Sequence, residues 1–316
     1  MANRGVSWDT LIHSIQDLKD HGSRRLPKMY RDYFNEGAMD LLTVKENEEA
    51  YDYYKIQPRV LVNVDNVNIS GEIFGFKTAL PLGFSPAAMH GLAHPDGEIA
   101  TSRAAAKMGI SAGYKAILLS ADTPCLGRRL NEYRNNFSLP DGMSWPNLLS
   151  DGKSELRASR DQIGKSDEVP AEPSKHDYGP SVNWDSLIPW LRQHTKLQIW
   201  VKGIYGPDDV RVAIKHGLDG VCAPVARGKI PITVDGGIRR GTDIFKALAL
   251  GASHCFVGRI PIWGLAYDGQ EGVELALKIL MYEFKVAMLL AGCKSVKDIT
   301  QDHFVYKKAD GILAKL

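Results

Sequence analysis

Short apolar runs alternate with glycine-terminated stretches along most of the chain. Six of the runs lie in ALPLGFSPAAM, YKAILLSADTP, LQIWVKG, DGVCAP, PITVDGG and SHCFVGR. Apolar residues recur at helical spacing in HPDGEIATSRAAAKMG, PDDVRVAIKHG and GTDIFKALALG, which lie between runs. Short runs without alternation are typical of strands buried on both faces, so the pattern predicts βα units around a parallel sheet.

Residues 1–70 predict helices instead. WDTLIHSIQDLKDH, PKMYRDYFNEGA and TVKENEEAYDYY carry apolar residues at helical spacing. We therefore divide the chain into a helical N-terminal segment, 1–70, and a (β/α) barrel domain, 71–316. Within the barrel domain, residues 138–183 are polar, rich in Pro and Ser, and too long for a simple connection. They are predicted to form a mobile, lid-like loop.

Two junctions are too short for this topology. Only Ala226, Arg227 and Gly228 separate GVCAPV from KIPITV, whereas parallel neighbouring strands need a crossover of roughly ten residues or more. The stretch KMGISAGYKAILL holds two glycines of the kind that end helices, Gly109 and Gly113, close together. Both junctions are expected if whole βα units are absent and the chain closes over the gap.

Composition narrows the class of protein. The chain has 316 residues, 44% hydrophobic and 24% charged, and a formal net charge of +2. This range is that of a soluble globular domain, and the charge gives no case for a nucleic acid or membrane partner. The four cysteines form no CxxC pair, so neither a metal site nor a disulfide framework is predicted. No run reaches the length of a membrane span, and the N-terminus is too polar for a signal peptide.

The most specific chemical signal is ITVDGGIRRGTDIFKALALGASHCFVGR. One predicted strand ends in Asp235-Gly236-Gly237 with Arg239 beyond it, and the next ends in Gly258-Arg259. Glycine permits close approach of the backbone, and arginine offers bidentate hydrogen bonds to phosphate. The two adjacent loops therefore predict a phosphate grip, which barrels commonly carry after their seventh and eighth strands.

Nearly the whole chain resembles the FMN-dependent α-hydroxy-acid oxidase and dehydrogenase family, the group of glycolate oxidase and lactate oxidase. The matching segments, in order, are LPKMYRDYFNEGA, PLGFSPAAMHGLAHPDGE, SADTPCLGRR, WVKGI, DGGIRRGTDIFKALALGA, FVGR and EFKVAMLLAGCKSVKDI. The resemblance implies a (β/α)8 TIM barrel that binds FMN and oxidises an L-2-hydroxy acid to the 2-oxo acid. It also implies that O2 re-oxidises the flavin to give H2O2, and that the protein is a homo-oligomer, a tetramer.

The resemblance also implies a role for individual residues. Tyr33 and Arg129 are expected at the substrate carboxylate. Asp122 is expected to orient the catalytic histidine and to stabilise its charged form. The FMN phosphate is expected at Arg239, Gly258 and Arg259, and the ribityl chain at Asp235. The remaining flavin contacts are expected at Ala87, Ala88, Ser120, Lys202, Gly236 and Gly237.

These residue types suit the chemistry in their own right. Hydride transfer from a hydroxy acid to flavin needs a base for the hydroxyl proton, a cation for the carboxylate and positive charge near the reduced flavin. Lys202 ends an apolar strand and suits the last role, although a lysine there is also the pattern of a solvated strand end. Asp122 is followed by Thr123 and Pro124, so its side chain could instead cap a turn.

The base itself is missing from the expected place. By the resemblance, the strand in GVCAP should run on into a segment with the base histidine and a substrate arginine, and ISAG should be replaced by two further strands. His254 begins a strand, the wrong end for catalysis, and His90 and His94 are poor substitutes because loop histidines are usually solvated. Either the sequence omits segments of a longer enzyme, for example through a mis-spliced gene model, or the chain is a catalytically dead flavin-binding relative.

Two further expectations concern location and a rival family. Ala314-Lys315-Leu316 is close to the C-terminal Ser-Lys-Leu address and predicts a peroxisomal protein, or otherwise a cytoplasmic one. Another FMN barrel, type 2 isopentenyl diphosphate isomerase, shares the DGG region. SADTPCLGRR and RRLPKMYRDYFNEGA favour the hydroxy-acid group, while the hydroxy acid used and the choice between oxidase and dehydrogenase stay open.

Overall fold

The N-terminal segment is helical, as its apolar spacing predicts. In the computed structural model, which describes residues 6–110, 115–122, 127–143, 183–222, 230–307 and 313–315, it forms α1 (Ile15–Arg25), α2 (Lys28–Asn35) and α3 (Leu42–Tyr53). Helix α1 begins later than WDTLIHSIQDLKDH predicts, because the Ser14 side chain accepts a hydrogen bond from the backbone N–H of Asp17 and caps the helix. Strand β1 (Tyr54–Ile56) follows α3 directly.

Six parallel strands form the central sheet. A hairpin of β2 (Gly71–Ile73) and β3 (Phe76–Thr78) comes before them in the chain. The six strands are β4 (Leu82–Phe84), β5 (Ala116–Ser120), β6 (Gln198–Lys202), β7 (Gly220–Cys222), β8 (Ile232–Asp235) and β9 (His254–Val257). Their order across the sheet is β4-β9-β8-β7-β6-β5, and every neighbouring pair is parallel. The six predicted strands and the α/β class are confirmed.

Helices lie between these strands except between β7 and β8, where none is described. They are α4 (Gly97–Lys107), α5 (Leu130–Arg134), α6 (Trp184–His194), α7 (Pro207–Lys215), α8 (Gly241–Ala249) and α9 (Arg259–Ala291), the last broken at Asp268 and Gly269. The predicted helix-ending glycines adopt left-handed backbone conformations, with φ of 77° at Gly109, 66° at Gly217 and 104° at Gly251. Helix α9 packs against α1, α4 and α8 and so ties the N-terminal segment to the barrel domain.

The chain's last strands complete a second, small sheet. Strand β10 (Phe304–Lys307) pairs antiparallel with both β1 and β11 (Leu313–Lys315). Ala314 and Lys315 therefore belong to a strand, while Leu316 lies outside the described residues. The same holds for 144–182, most of the predicted lid. Among the helices that the structure describes, none is long and apolar enough to cross a bilayer.

Strands β4 and β5 are the edges of the parallel sheet, and no described strand pairs with their outer sides. All five residues of β5 are half-buried or exposed although four of them are apolar, whereas β6 beside it buries Ile199, Trp200 and Val201. A closed barrel would bury β5 between two neighbours. Among the described strands the sheet is therefore a barrel wall left open between β4 and β5, next to the short junction that the sequence shows at 110–115.

His254 is buried at the amino end of β9, among aromatic rings. It is 1% exposed, and its ring lies 5.2 Å from that of Phe74 and 5.3 Å from that of Phe256. Burial lowers its pKa to about 4, and Nε2 has no hydrogen-bond partner among the described residues. A neutral imidazole at this end of the strands has a packing role and lies opposite the strand ends that carry the predicted site.

Replacing His254 by Phe is expected to make the protein more tolerant of acid. Below the ordinary histidine pKa the unfolded chain binds a proton that the folded chain excludes, so stability is fully present above about pH 6.5 and is lost as the pH falls toward 4. The loss approaches about 3 kcal/mol once both states are protonated. The difference in melting temperature between His254→Phe and the parent should therefore widen as the pH is lowered; parallel curves would contradict this account.

Candidate functional site

The carboxyl ends of the parallel strands bring the predicted flavin residues to one side of the sheet. Ser120 and Lys202 are partners in register at the ends of β5 and β6. Asp235 ends β8, Gly258 directly follows β9, and Asp122 lies two residues beyond β5. Because ligand sites of parallel α/β sheets lie at this edge, the topology supports the site that the sequence predicts.

Asp122 and Lys202 form an ion pair at this edge. The Nζ of Lys202 lies 3.3 Å from each carboxylate oxygen, with 24% of the lysine and 22% of the aspartate side chain exposed. Gly203 makes the contact possible, because its φ is +93° and a Cβ there would lie 2.3 Å from the Cβ of Asp122. Asp122 was predicted to orient a histidine; among the described residues its charged partner is Lys202.

Asp235 is a half-buried carboxylate of the site. The Ser85 hydroxyl, just after β4, donates a hydrogen bond of 2.6 Å to its Oδ1. Burial raises the pKa of Asp235, and the Ser85 hydrogen bond and the Lys202 charge partly offset this. Cys222 ends β7 nearby, and burial raises the pKa of its thiol to about 11, so the thiol is neutral at physiological pH.

Asp235→Asn is expected to stabilise the FMN-free protein at neutral pH. A carboxyl whose pKa is raised on folding holds a proton that the unfolded chain releases first, so the parent loses stability as the pH rises through the folded pKa. Asparagine keeps an oxygen that can accept the Ser85 hydrogen bond and cannot ionise. Thermal melts should coincide at low pH and separate in favour of the variant as the pH rises. A variant that becomes less stable than the parent as the pH rises would show that the ionised carboxylate stabilises the fold, and would contradict this expectation.

Two arginines of the predicted phosphate grip lie close together. Burial, and after it the charge of Arg239, lower the pKa of Arg259, the first residue of α9. Arg259 donates to the backbone oxygen of Glu36, while Arg239 lies 4.9 Å from the ring centre of Trp263. The Nε of Arg239 is buried and has no partner among the described residues. Two like charges and an unpartnered donor, beside the start of a long helix, suit the phosphate of FMN.

The Gly-Gly loop lies directly against α3. Gly236 and Gly237 have φ of +99° and +73°, and a Cβ at Gly237 would lie 1.8 Å from the backbone oxygen of Asn47. Glu48 of the same helix forms an ion pair with Arg239. A phosphate at Arg239 would therefore share this arginine with Glu48. The sequence of α3 does not mark it as part of the site, and the loop glycines are the one signal of its close approach.

Tyr33 and Arg129, both predicted at the substrate carboxylate, are in contact. The Arg129 guanidinium lies 5.0 Å from the Tyr33 ring centre, and its Nη1 donates to the Tyr33 backbone oxygen at 3.2 Å. Phe137 stacks on Tyr33 with ring centres 5.0 Å apart, and Glu132 accepts a hydrogen bond of 3.1 Å from Arg129. Ala87 packs in the same apolar cluster as Tyr33 and Phe137. The N-terminal helix α2 is thus part of the site.

The structure also places Ala88, His90 and His94, the other positions singled out in the sequence. Ala88 is exposed beside Ala87 after β4. His90 is buried, its Nδ1 hydrogen-bonded to Thr101 at 2.9 Å, and burial lowers its pKa. His94 packs against the break in α9, where a Cβ on Gly269 would lie 2.9 Å from its Nε2. Neither contact places a histidine beside Asp122. Residues 223–229, which the structure does not describe, contain no histidine.

Comparison with known families gives a direct match. A family model described as FMN-dependent dehydrogenase matches residues 22–112, 110–224 and 222–306. The match is complete from residue 22 to residue 306 but comes in three pieces. The pieces meet at the two junctions that are too short for a crossover, so the sequence departs from the family pattern at those two places.

Individual relatives agree over nearly their whole length. Oxidase FUB9 of Fusarium oxysporum f. sp. lycopersici is 40% identical over 371 aligned positions, covering 96% of this chain and 93% of the relative. Glycolate oxidase 3 of Arabidopsis thaliana is 32% identical over 358 positions, covering 92% and 95%. Both alignments are longer than the 316 residues of this chain, so the relatives hold internal residues that it lacks.

A solved structure confirms the fold. The soluble mutant of the membrane-associated (S)-mandelate dehydrogenase from Pseudomonas putida superposes with a TM-score of 0.81 at 25% identity, covering 93% of this chain and 99% of that one. A mutant of mandelate oxidase with (S)-mandelic acid gives a TM-score of 0.75 at 28% identity, covering 91% and 97%. The architecture is therefore shared with enzymes whose names state the oxidation of a 2-hydroxy acid.

Proposed function

Because this chain belongs to the FMN-dependent dehydrogenase family, we propose that it oxidises an L-2-hydroxy acid of the lactate or glycolate type to the 2-oxo acid. The observation that carries the proposal is the contact between Arg129 and Tyr33. A guanidinium recognises a carboxylate by charge and by directed hydrogen bonds, and the hydroxyl of the neighbouring Tyr33 would supply a further donor.

FMN is the cofactor of the family, and bound FMN supplies the acceptor for the hydride that leaves the substrate. In this chain Arg239, Gly258 and Arg259 would hold its phosphate, and Asp235 its ribityl chain. Lys202, paired with Asp122, provides a cation at the strand ends, where it would stabilise negative charge on a reduced flavin. The residues that would contact FMN thus fit its charge, which is anionic at the phosphate.

The substrate hydroxyl has to lose a proton as the hydride leaves, and this step separates two candidate functions. In one, the full-length enzyme carries a segment with the base histidine between β7 and β8, and Asp122 orients that histidine and stabilises its charged form. In the other, this chain lacks the segment and binds flavin without turning over a hydroxy acid. The pairing of Asp122 with Lys202 at 3.3 Å is the observation that favours the second.

The intact mass of the denatured protein distinguishes these candidates. The 316-residue chain has a mass of 34.9 kDa. A mass several kilodaltons higher would show that internal residues are present beyond this sequence, and the oxidase proposal would stand. A mass of 34.9 kDa would show that the protein has no histidine segment between β7 and β8, and flavin binding would be left as its function.

We propose O2 as the electron acceptor, which makes H2O2 the second product. The names of Oxidase FUB9 and of the glycolate oxidases support this choice. Peroxide should be formed with glycolate, L-lactate or (S)-mandelate in air, and the acid that gives the highest kcat/KM identifies the substrate type. Turnover that needs an added dye and yields no peroxide would make the protein a dehydrogenase. Flavin reduction by these acids without NADPH would also separate it from the isomerase-type FMN barrels.

We also propose that the protein is a homo-oligomer, a tetramer as the resemblance implies. Val60, Leu61 and Leu290 are 79%, 103% and 69% exposed, and the backbone hydrogen bond from Arg59 to Ala291 brings the two segments together. An exposed apolar group of this kind commonly marks a protein interface. Light scattering on the eluted protein should give a multiple of the monomer mass, and a monomer would contradict the proposal.

A further inference from the structure

Glu132 connects the two residues that are proposed to bind the substrate carboxylate. Its Oε1 accepts a hydrogen bond of 3.1 Å from Nη1 of Arg129, three residues earlier in the chain. Its backbone oxygen accepts from the N–H of Phe137, whose ring stacks on Tyr33. One residue of a short helix thus reaches both halves of the carboxylate site.

The ion pair differs from an ordinary surface pair on a helix. Exposed pairs at this spacing contribute little, because water and side-chain entropy offset the attraction. Here the Glu132 side chain is 17% exposed, and the Nη1 of Arg129 is also bonded to the Tyr33 backbone oxygen. Two acceptors on one nitrogen fix the plane of the guanidinium, so its other nitrogens keep a defined direction for a ligand.

We infer that Glu132 is a positioning residue for substrate binding: it holds Arg129 in the orientation in which the guanidinium receives the carboxylate of the 2-hydroxy acid. This inference rests on the proposed function. Glu132 itself does not touch the substrate, because it carries the same negative charge as the substrate carboxylate and its Oε1 is bonded to Nη1 of Arg129. The Arg129 side chain is 39% exposed. The role of Glu132 is to keep this side chain from turning further into solvent.

Positioning and simple electrostatics predict opposite results. If Glu132 acted only by its charge, removing it would make the surroundings of Arg129 less negative and tighten the binding of an anion. If it positions Arg129, removing the acceptor weakens binding, and glutamine, which keeps an acceptor oxygen, largely restores it. The comparison of Glu132→Ala with Glu132→Gln therefore tests the mechanism rather than the mere presence of the side chain.

The experiment uses FMN-loaded protein and follows the flavin absorbance while a 2-oxo acid is added. Glyoxylate, pyruvate and benzoylformate are tried on the parent, and the one bound most tightly is used throughout. Glu132→Ala is expected to raise its Kd about tenfold, the effect of one charge-assisted hydrogen bond, and Glu132→Gln by no more than about threefold. Arg134→Ala, in the same helix, is the control and should leave the Kd unchanged.

A double variant keeps the test sharp if Glu132→Ala also loosens the helix. In an Arg129→Lys background, Glu132→Ala should weaken binding no further, because the side chain that it positions has gone. An unchanged or lower Kd for Glu132→Ala alone, or an equal loss in both backgrounds, would overturn the inference while leaving the proposed function intact. A parent protein that binds FMN and none of the three acids would overturn the proposed function and this inference with it.

Discussion

Arg129→Lys is expected to raise the KM for the hydroxy acid, and the Kd for its 2-oxo acid, by about 10- to 100-fold while FMN stays bound. Lysine keeps the positive charge but loses the planar fork that donates to a carboxylate in two directions. It also loses the stacking of the guanidinium on Tyr33 at 5.0 Å. The loss corresponds to about 1.5–3 kcal/mol of binding, the range for a hydrogen bond to a charged group.

The neighbouring arginine provides a matched control. Arg128 is exposed, and its guanidinium lies 5.5 Å from the ring centre of Tyr133. Arg128→Lys should leave KM and Kd within about twofold of the parent, as surface substitutions usually do. Equal effects of the two substitutions, or unchanged kinetics in Arg129→Lys, would remove Arg129 from the substrate site.

Arg259→Gln is expected to weaken FMN binding by about 100-fold or more, because it removes a half-buried cation at the start of α9. Burial and the charge of Arg239 already lower the pKa of Arg259, so holding this charge is unfavourable until an anion is bound. The FMN-free variant should therefore be at least as stable as the FMN-free parent. Quenching of FMN fluorescence on titration gives the affinity, and a thermal melt gives the stability.

Arg211→Gln serves as the control for charge alone. Arg211 is exposed on α7 and pairs with Asp208 on the protein surface. Its replacement should leave the FMN Kd unchanged. If Arg259→Gln bound FMN as the parent does, the phosphate would have to lie elsewhere. If the FMN-free variant were much less stable, Arg259 would be a structural residue rather than a cofactor contact.

The sequence predicted what local pattern can encode. Buried strands appear as short apolar runs, and helix ends appear as glycines that adopt positive φ, as at Gly109 and Gly217. The proximity of Arg239 and Arg259 was predictable because both follow strands whose carboxyl ends must lie on one side of a parallel sheet. The family resemblance implied that Tyr33 and Arg129 bind the substrate, and the structure places these two residues in contact.

The partners of these residues were not predictable, because they come from distant parts of the chain. Ser85 bonds to Asp235, 150 residues later, and Glu48 to Arg239, 191 residues later. No periodicity links such pairs, because the position of a polar residue in the sequence does not indicate which distant residue it will contact. The predicted beginning of α1 was also wrong. The apolar spacing already starts in WDTLIHS, whereas the helix begins only after its N-cap, Ser14.

Anaerobic mixing of the FMN-loaded protein with glycolate, L-lactate and (S)-mandelate tests the central claim most directly. The proposed function predicts that at least one of these acids bleaches the visible absorbance of the oxidised flavin and yields one 2-oxo acid per flavin, and that admitting air restores the colour. A protein that retains FMN and stays yellow with all three would contradict the claim and identify a flavin-binding protein without hydroxy-acid oxidation.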